Sequence, residues 1–313
     1  MAVLVVTQKF DPTVDYVVEE LNQRGIPVLR TDLADFPQRL TVAASIVDGT
    51  WTGTVRNSTR EVELRTVTGV LYRRPTPPEL PAGMSEETRK WAEAEARFGF
   101  GGLLSSLDVW LNHPHRIGFA EYKPVQLQLA ARCGLTVPRT IITNDPHQAR
   151  VFCEQVGEVI YKPLASMYVG ESKMIYATRV PREDWGDPRI AHTAHLFQEW
   201  IEHDYAVRAA VVDGRFFATA IHASSEAAHI DWRSDYPALA YEPTELPGDV
   251  RDKARDLMAR LGLRFGAFDF LVRHDGTYVY LEVNPNGQWA WVDGAPTIAS
   301  AIADALTQGT ARA

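Results

Sequence analysis

The spacing of apolar residues predicts alternating strands and helices at the start of the chain. A continuous apolar run predicts a buried strand at residues 2–7, and apolar residues at helical spacing predict an amphipathic helix at 14–24 that ends at Gly25. A second strand is predicted at 27–30. This β-α-β order is typical of a sheet covered by helices, so we expect the chain to begin with an α/β lobe.

Alternating apolar and polar positions follow, and they predict a small antiparallel meander with strands at 40–47, 51–56 and 61–67. The predicted elements that complete the first lobe are an apolar strand at 69–72, a long charged helix at 85–105 and a short strand at 109–112.

The middle of the chain predicts a compact α+β unit. Its predicted elements are helices at 119–133 and 146–156 and strands at 158–164, 173–179 and 195–201. The connection before residue 173 carries Ser166, Gly170 and Ser172, which suit either a mobile lid over phosphates or a plain hairpin loop.

The last third predicts two antiparallel hairpins, at 205–222 and 265–284, with a helix at 249–261 between them. Asp-Gly pairs at 213–214 and 275–276 are strong signals for two-residue hairpin turns. Such turns fix the register of each hairpin. They set Arg208 opposite Thr219 in the first hairpin and Asp269 opposite Glu282 in the second.

Two acids and an amide converge on one face of the second hairpin. Directly opposed residues have Cβ atoms ~4.5–5.5 Å apart, so Asp269 and Glu282 would repel each other unless a cation lies between them. Asn284 shares the face of Glu282 because side chains alternate with a period of two. Mg²⁺ prefers such oxygen ligands and completes its shell with waters and phosphate oxygens. The alternative, an exposed strand pair with incidental acids, fits poorly with the apolar run around these residues.

Composition narrows the possible functions. A length of 313 residues corresponds to about two domains at ~150 residues each. The net charge of −8 argues against general affinity for nucleic acid or anionic membranes. Two cysteines, Cys133 and Cys153, indicate neither a disulfide framework nor a four-ligand zinc site. No signal-peptide pattern and no run near the ~20 apolar residues of a membrane span occur, so we expect a cytoplasmic protein.

Three short motifs carry a family resemblance that covers nearly the whole chain. They are Tyr-Arg-Arg-Pro at 72–75, Asp-Trp-Arg at 231–233, and Leu-Glu-Val-Asn-Pro-Asn-Gly-Gln-Trp at 281–289, the last preceded by Phe-Asp-Phe at 268–270. In this order they resemble the ATP-grasp superfamily, and within it the ligases that macrocyclise ribosomally made peptides (graspetide or microviridin-type maturases). The resemblance implies an ATP-grasp fold in three parts: an N-terminal α/β lobe at 1–117, a central lobe at 118–197 and a C-terminal antiparallel-sheet lobe at 198–313 that clasps ATP with the central lobe.

The resemblance also implies which residues contact ATP. Lys162 lies within an apolar strand, where a buried ammonium needs an anionic partner, and similarity assigns it and Lys123 to the phosphates. The segment similar to the family's adenine-binding hinge consists of Gln198, Glu199, Trp200 and Ile201.

The ribose contact departs from the family pattern. Where family members carry an acid, this chain has Ala206, so we expect Asp204 or Glu202 to reach the ribose instead.

Four arginines are candidates for the reacting groups. Arg208 lies in an apolar strand and would bind the γ-phosphate or the acylphosphate formed from it. Arg233 joins it by resemblance, although an internal salt bridge with Asp231 or Asp235 is an alternative for that side chain. Arg73 and Arg74 follow a strand of the first lobe, and we assign them to the substrate.

These observations lead to one functional expectation and two alternatives. We expect an ATP-dependent ligase, with Mg²⁺ as cofactor and two ions in the site, that macrocyclises a precursor peptide made of a leader and an acidic core. An Asp or Glu side chain would become an acylphosphate, and a side-chain hydroxyl or amine would then form an ester or amide, a choice the sequence leaves open. A homodimer is possible, and neither nucleic acid nor membrane is expected as a partner. The alternatives are a ligase of the same fold that adds amino acids to a carboxylate, and a non-catalytic nucleotide-binding protein.

Overall fold

The computed structural model describes residues 1–165, 168–169 and 173–308. Ser166, Gly170 and Ser172, which the sequence assigns to a lid or hairpin loop, lie outside the described residues. Within the described part of the chain, no helix is long and apolar enough to cross a membrane.

The first lobe contains a three-stranded parallel sheet and a separate antiparallel meander. Its strands are β1 (Ala2–Thr7), β2 (Val28–Thr31), β3 (Thr41–Val47), β4 (Thr50–Arg56), β5 (Glu61–Glu63) and β6 (Val67–Arg73). Its helices are α1 (Pro12–Gln23), α2 (Glu86–Glu95), α3 (Gly101–Ser105) and α4 (Pro114–Ala120), with a π-helical turn at Ala96–Phe100 that joins α2 to α3. The strand order is β2-β1-β6 in the parallel sheet and β3-β4-β5 in the meander, which confirms the predicted β-α-β start and meander. The strand predicted at 109–112 is wrong, because only one isolated bridge forms there, between Val70 and Trp110.

The central lobe is a four-stranded sheet with the order β11-β8-β12-β7. Its elements are α5 (Lys123–Arg132), β7 (Thr140–Thr143), α6 (Pro146–Val156), β8 (Val159–Lys162), β9 (Tyr168–Val169), β10 (Lys173–Met174), β11 (Thr178–Arg179) and β12 (His195–Glu199), with β9 and β10 paired apart from the main sheet. The helix predicted at 119–133 is confirmed over Lys123–Arg132, but its predicted start is wrong because Phe119 and Ala120 belong to the end of α4. Pro124 suits the start of α5 because it lacks the N–H that a helix interior needs.

The C-terminal part contains a five-stranded antiparallel sheet with the order β15-β14-β13-β16-β17. Its elements are β13 (Tyr205–Val212), β14 (Arg215–Ala223), α7 (Glu226–Ile230), β15 (Leu239–Thr244), α8 (Gly248–Leu261), β16 (Phe265–Val272), β17 (Tyr278–Asn284) and α9 (Ala295–Thr307). Short 3₁₀ turns lie at Leu33–Asp35, Leu64–Thr66, Arg182–Asp184, Pro188–His192, Trp232–Ser234 and Tyr236–Ala238.

The two faces of this sheet have different neighbours because side chains alternate along each strand. Val207, Ala209 and Val211 of β13 share one hydrophobic core with residues of α8. Ala210 and Val212 point the other way and share a core with α1, α9 and β1. Arg208 lies on that second face as well, since it is two residues before Ala210 in β13.

Helix α9 was not predicted from the sequence, and it packs against the first lobe. Ile298, Ile302 and Leu306 are almost fully buried in the core that also contains β1 and α1. The approach to β6 is close, since a Cβ atom on Gly69 would lie 2.3 Å from the backbone oxygen of Leu306. The last helix of the chain therefore completes the core of the first lobe.

Both predicted strand pairings are confirmed, but the second arises in an unexpected way. In the first hairpin, Asp213 and Gly214 both have positive φ, and Arg208 lies opposite Thr219. In the second hairpin the loop has three residues, because Arg273 N–H donates to Thr277 O and Val272 pairs with Tyr278. A bulge between Asp269 and Phe270 adds a residue on the other strand, so Asp269 still faces Glu282.

Candidate active site

A deep cavity lies between the central sheet and the C-terminal sheet, and most of the predicted site residues line it. We call it the central cavity. Predicted residues in its wall are Lys123, Lys162, Gln198, Glu199, Trp200, Ile201, Arg233, Asp269 and Glu282. Its apolar walls include Ile160, Leu196 and Leu281. The cavity therefore has a charged end and an end lined by the hinge segment.

The predicted metal ligands come together at the charged end. Arg233 Nη2 lies 2.8 Å from Asp269 Oδ2 and 3.3 Å from Glu282 Oε1, so one nitrogen reaches both carboxylates. Asn284 Nδ2 donates to the same Glu282 oxygen at 3.1 Å. Two carboxylates and an amide around one position of positive charge are a donor set that suits Mg²⁺. Among the described residues, no group of three or more His, Cys, Asp or Glu side chains forms a metal site, so this set would need water and phosphate oxygens to complete its shell.

Positive side chains balance these acids. The Lys123 ammonium forms an ion pair with Glu282. Arg208 Nη1 donates to both oxygens of Asp269, at 2.8 and 2.9 Å, and its Nη2 donates to Gln288 O at 3.1 Å. Burial alone would raise the pKa of Glu282, but Lys123 and Arg233 hold that pKa well below its ordinary value. The acid is therefore a carboxylate at neutral pH.

Arg233 makes both kinds of contact that the sequence left open, an internal ion pair and a contact with the predicted metal ligands. Its Nη1 lies 3.3 Å from Asp231 Oδ1, which is the internal ion pair left open by the sequence, while Nη2 contacts Asp269 and Glu282. Asp235 accepts a hydrogen bond from Ser225 Oγ at 2.7 Å instead. The opposing carboxylates outweigh burial and raise the pKa of the Arg233 guanidinium.

The position of Lys123 depends on a residue that sequence reasoning missed. Gln126 is buried one turn into α5, and its side-chain amide bonds to both backbone groups of Val283 at 2.9 Å. Tyr280 Oη donates to the same Gln126 side chain, also at 2.9 Å. These bonds fasten α5 to β17 and hold Lys123 beside Glu282. The sequence gives no signal for this role, because the polar Gln126 alternates with apolar residues in α5 and its burial depends on tertiary contacts.

Lys162 ends β8 inside the central cavity. Among the described residues its ammonium makes no hydrogen bond and no ion pair. The pKa of Lys162 is lowered to about 8, mainly by burial and in part by the nearby Lys123, while Glu282 opposes the shift. An incoming anion would relieve this cost, so Lys162 fits the predicted phosphate contact.

The hinge segment offers one free backbone donor. Glu199 N–H donates to Arg139 O at 3.0 Å and Trp200 N–H donates to Glu158 O at 2.8 Å. Ile201 N–H has no partner within the described part of the chain, and its residue lines the cavity. Gln198 is buried, and its amide donates to Thr140 Oγ1 at 3.0 Å. The segment can therefore present a donor to a planar base between apolar walls.

The predicted ribose contacts do not point into the cavity. The Asp204 carboxylate pairs with His274, and Asp204 is not among the described residues that line the cavity. Glu202 accepts a hydrogen bond from Trp200 Nε1 at 2.8 Å. Two histidines that the sequence did not single out line this end instead, with the rings of His203 and His229 stacked at 4.1 Å between centroids.

Arg73 and Arg74 lie apart from the central cavity. Arg73 is buried and its Nη1 donates to Asp11 Oδ2 at 2.9 Å, while its Nε and Nη2 have no partner in the described part of the chain. Burial lowers the pKa of Arg73 to about 10 although Asp11 opposes the shift. Arg74 is exposed and has a positive φ of 48°. Their substrate role therefore stays a prediction, and Arg74 is the more accessible of the two.

Comparisons with known proteins agree with this architecture. The family model described as the MvdD pre-ATP grasp domain matches residues 2–118. No curated protein sequence matches the chain. Among solved structures, the RiPP-associated ATP-grasp ligase of Chryseobacterium gregarium, in complex with ADP and a leader and core peptide, superposes with a TM-score of 0.88 at 26% identity, covering 98% of this chain and 97% of that chain.

Two further structures support the same assignment. The macrocyclase MdnB from Microcystis aeruginosa MRC has a TM-score of 0.80 at 30% identity, covering 98% of this chain and 99% of that chain. The ATP-grasp ligase PsnB, complexed with a minimal precursor, Mg and ADP, has a TM-score of 0.76 at 26% identity, covering 98% of this chain and 96% of that chain. The similarity thus extends over the whole length in each case.

Proposed function

Because the chain belongs to the ATP-grasp ligases that macrocyclise ribosomally made peptides, we propose that it closes side-chain rings in a precursor peptide at the expense of ATP. The observation that carries the proposal is the convergence of Asp269, Glu282 and Asn284 with Lys123, Arg208 and Arg233 at one end of the central cavity. The opposite end, with the free Ile201 N–H, suits the adenine.

The reaction has two steps. A carboxylate oxygen of a peptide Asp or Glu attacks the γ-phosphorus of ATP, which gives an acylphosphate and ADP. A hydroxyl or amine of the same peptide then attacks the acyl carbon and loses its proton, and inorganic phosphate leaves. The peptide loses the elements of one water for each ring. Mg²⁺, when bound, neutralises phosphate charge and aligns the oxygens for transfer.

The protein's own side chains supply the remaining positive charge. Among the residues that the structure describes, the Lys162 ammonium has no hydrogen-bond or ion-pair partner, so it would bind phosphate oxygens directly. Arg233 and Lys123 neutralise the two carboxylates and would yield to a cation there, after which both can turn to phosphate. Arg208 holds Asp269 through Nη1 and is oriented by the bond from Nη2 to Gln288 O. A cation that takes over Asp269 would release Nη1 for the γ-phosphate or the acylphosphate. The chain provides no covalent nucleophile in this scheme, since positioning and charge neutralisation supply the catalysis.

We also propose where the precursor peptide binds. We assign the acidic core of the peptide to the side of the cavity that carries Arg233, with Arg74, which lies outside the cavity wall, as a more distant contact. A peptide substrate is supported by the leader and core peptide bound in the Chryseobacterium gregarium ligase and the precursor bound in PsnB. The ribose contact of Asp204 or Glu202, the presence of two Mg²⁺ ions and a homodimeric state remain predictions.

Reconstitution tests the proposal. Purified protein, ATP, Mg²⁺ and the precursor peptide encoded beside its gene should give a product that is lighter by one water, ~18 Da, for each ring, together with ADP and phosphate. Omitting ATP or Mg²⁺ should stop the mass loss. Addition of a free amino acid to the peptide, with a gain in mass instead, would favour the amino acid ligase alternative and contradict the proposal.

A further inference from the structure

Four aromatic side chains form a connected surface beside the central cavity. We call this set, Trp232, Tyr236, Tyr241 and Trp291, the aromatic wall. The ring centroids of Trp232 and Trp291 are 5.3 Å apart, and those of Trp291 and Tyr241 are 5.1 Å apart. Tyr236 contacts Trp232 edge-on at 6.1 Å. The rings come from the Asp-Trp-Arg turn, β15 and the segment after β17.

The aromatic wall faces solvent although it is apolar. Tyr236 is 58% exposed and Tyr241 is 41% exposed, and both tryptophans are half-buried. By contrast, Trp289, two residues before Trp291, is packed in the core. Clustered exposed aromatic rings are typical of binding surfaces, because they offer a large rigid contact area at little cost in conformational entropy.

The wall is continuous with the charged end of the cavity. Trp232 lines the cavity, and the Arg233 guanidinium lies over its ring at 4.6 Å while also contacting Asp269. Tyr241 pairs with Ile221, which lines the cavity, so both side chains lie on the cavity face of the sheet. A molecule whose carboxylate reaches Arg233 would therefore extend across the aromatic rings.

The edge of the sheet indicates which kind of molecule binds beside the aromatic wall. β15 is the outermost strand of the five-stranded sheet, so one side of its backbone is available to an extended chain. An extended peptide can use this edge and the adjacent rings together, whereas a small carboxylate can use neither. Continuity with the cavity and this edge both favour a peptide.

We propose that the aromatic wall binds the segment of the core peptide that flanks the acceptor Asp or Glu and so determines which acid is activated. The inference rests on the proposed function and deepens it by naming a peptide subsite. Apolar or aromatic side chains next to the acceptor would pack against Trp291 and Tyr241. The acceptor carboxylate itself would lie at Arg233.

Trp291→Ala and Tyr241→Ala test the subsite without touching the charged cluster. We expect each variant to raise the KM for peptide about ten-fold while kcat and the affinity for an ATP analogue stay within about two-fold of wild type. Trp291→Phe should restore most of the peptide affinity, since it keeps an aromatic ring. Trp91→Ala is the matched control, because Trp91 is 64% exposed on α2 and lies outside the central cavity.

Direct peptide binding, measured by fluorescence titration of the labelled core peptide without ATP, separates this inference from the proposed function. Weaker peptide binding in Trp291→Ala supports the subsite. Wild-type KM and wild-type peptide affinity in both variants would overturn it, even if the enzyme cyclises normally. A change of oligomeric state in Trp291→Ala by analytical ultracentrifugation, with peptide affinity unchanged, would also overturn it, because the wall would then be an interface between copies of the chain.

Discussion

Two buried arginine–aspartate pairs, Arg73 with Asp11 and Arg208 with Asp269, differ in what surrounds the aspartate. Arg73 and Asp11 are 5% and 3% exposed, and Arg208 and Asp269 are 5% and 4% exposed. Among the residues that the structure describes, the Asp11 carboxylate otherwise accepts only from the Thr7 hydroxyl, at 2.9 Å. Asp269 also binds Arg233 and faces Glu282 across the strand pair. The two ion pairs are therefore equally buried, but their aspartates have different neighbours.

One ion pair therefore stabilises the fold, whereas the other belongs to the reaction site. In the Arg73–Asp11 pair, the aspartate accepts from one hydroxyl and one guanidinium, and among the described residues no second carboxylate takes part. The Arg208–Asp269 pair is one part of a larger network whose charges can be redistributed when a cation and phosphates arrive. A buried ion pair is weak evidence of function by itself. Here the features that indicate a reaction site are a second carboxylate, Glu282, and a second cation, Arg233, next to the Arg208–Asp269 pair.

Removing the second carboxylate should have the largest effect. Glu282→Gln keeps the shape of the side chain but deletes the charge that faces Asp269, so we expect ring closure to fall by about 100-fold or more. Mass spectrometry of the peptide measures this loss. Glu93→Gln, on the exposed face of α2, should react at the wild-type rate, and substantial dehydration by Glu282→Gln would refute the metal assignment.

Matched substitutions in the two ion pairs test most directly whether the pairs have different roles. Asp11→Asn leaves Arg73 charged without a partner, which should cost about 3 kcal/mol of unfolding free energy and lower Tm by roughly 6 °C or more. Its cyclisation rate, measured well below Tm, should stay near wild type. Asp269→Asn should instead lose most of its activity. Similar losses of activity in both variants would show that the distinction between the pairs is wrong.

Lys162 tests the phosphate end of the network. Lys162→Met removes the ammonium and should weaken binding of a non-hydrolysable ATP analogue about ten-fold, with little change in peptide binding. Calorimetric titration measures both affinities. Equal nucleotide affinity in the variant and the wild type would assign Lys162 a purely structural role.

The pH dependence of stability gives an independent check on Lys162. Its pKa is about 8 in the folded protein and is higher when unfolded, so the folded state loses this proton first as pH rises. The unfolded state then binds more protons above pH 8, and the contribution of Lys162 to stability increases from about 8 toward its ordinary pKa. The difference in Tm between Lys162→Met and wild type should therefore shrink over this range without nucleotide. A constant difference would contradict the lowered pKa.

Arg74 should give the smallest effect. Its exposed guanidinium can only attract an acidic core at long range, so Arg74→Ala should slow cyclisation by roughly two- to five-fold at low salt and less at high salt. Nucleotide affinity should not change. Replacement of the acceptor acid in the peptide should remove most of the difference between variant and wild type. Equal rates at low salt would remove Arg74 from the substrate site.

Local patterns predicted much of the fold and the charged end of the site. Alternation and Asp-Gly turns located both hairpins, and a lysine in the apolar strand β8 identified Lys162. The pairing of Asp269 with Glu282 was predicted correctly although the turn was not, because the longer loop and the bulge compensate. Neither the three-residue loop nor the bulge has a sequence signal as clear as the Asp-Gly pair has for a two-residue turn.

Long-range packing explains what the sequence did not predict. Asp11 and Arg73 are separated by 62 positions, and nothing near Asp11 indicates its partner. His203 and His229 stack only because α7 folds back over the hinge segment. Helix α9 carries Ile298, Ile302 and Ala305 at helical spacing, which would have predicted a helix, but its place in the core of the first lobe depends on tertiary contacts.

The central claim is that a peptide carboxylate attacks ATP, and isotope transfer tests this most directly. A precursor peptide whose Asp and Glu side chains carry heavy oxygen should be cyclised with ATP and Mg²⁺, and the released phosphate analysed by mass spectrometry. Because the attacking oxygen stays on phosphorus when the acylphosphate is displaced, one heavy oxygen should appear in phosphate for each ring closed. Phosphate free of the label, with rings still formed, would contradict the account.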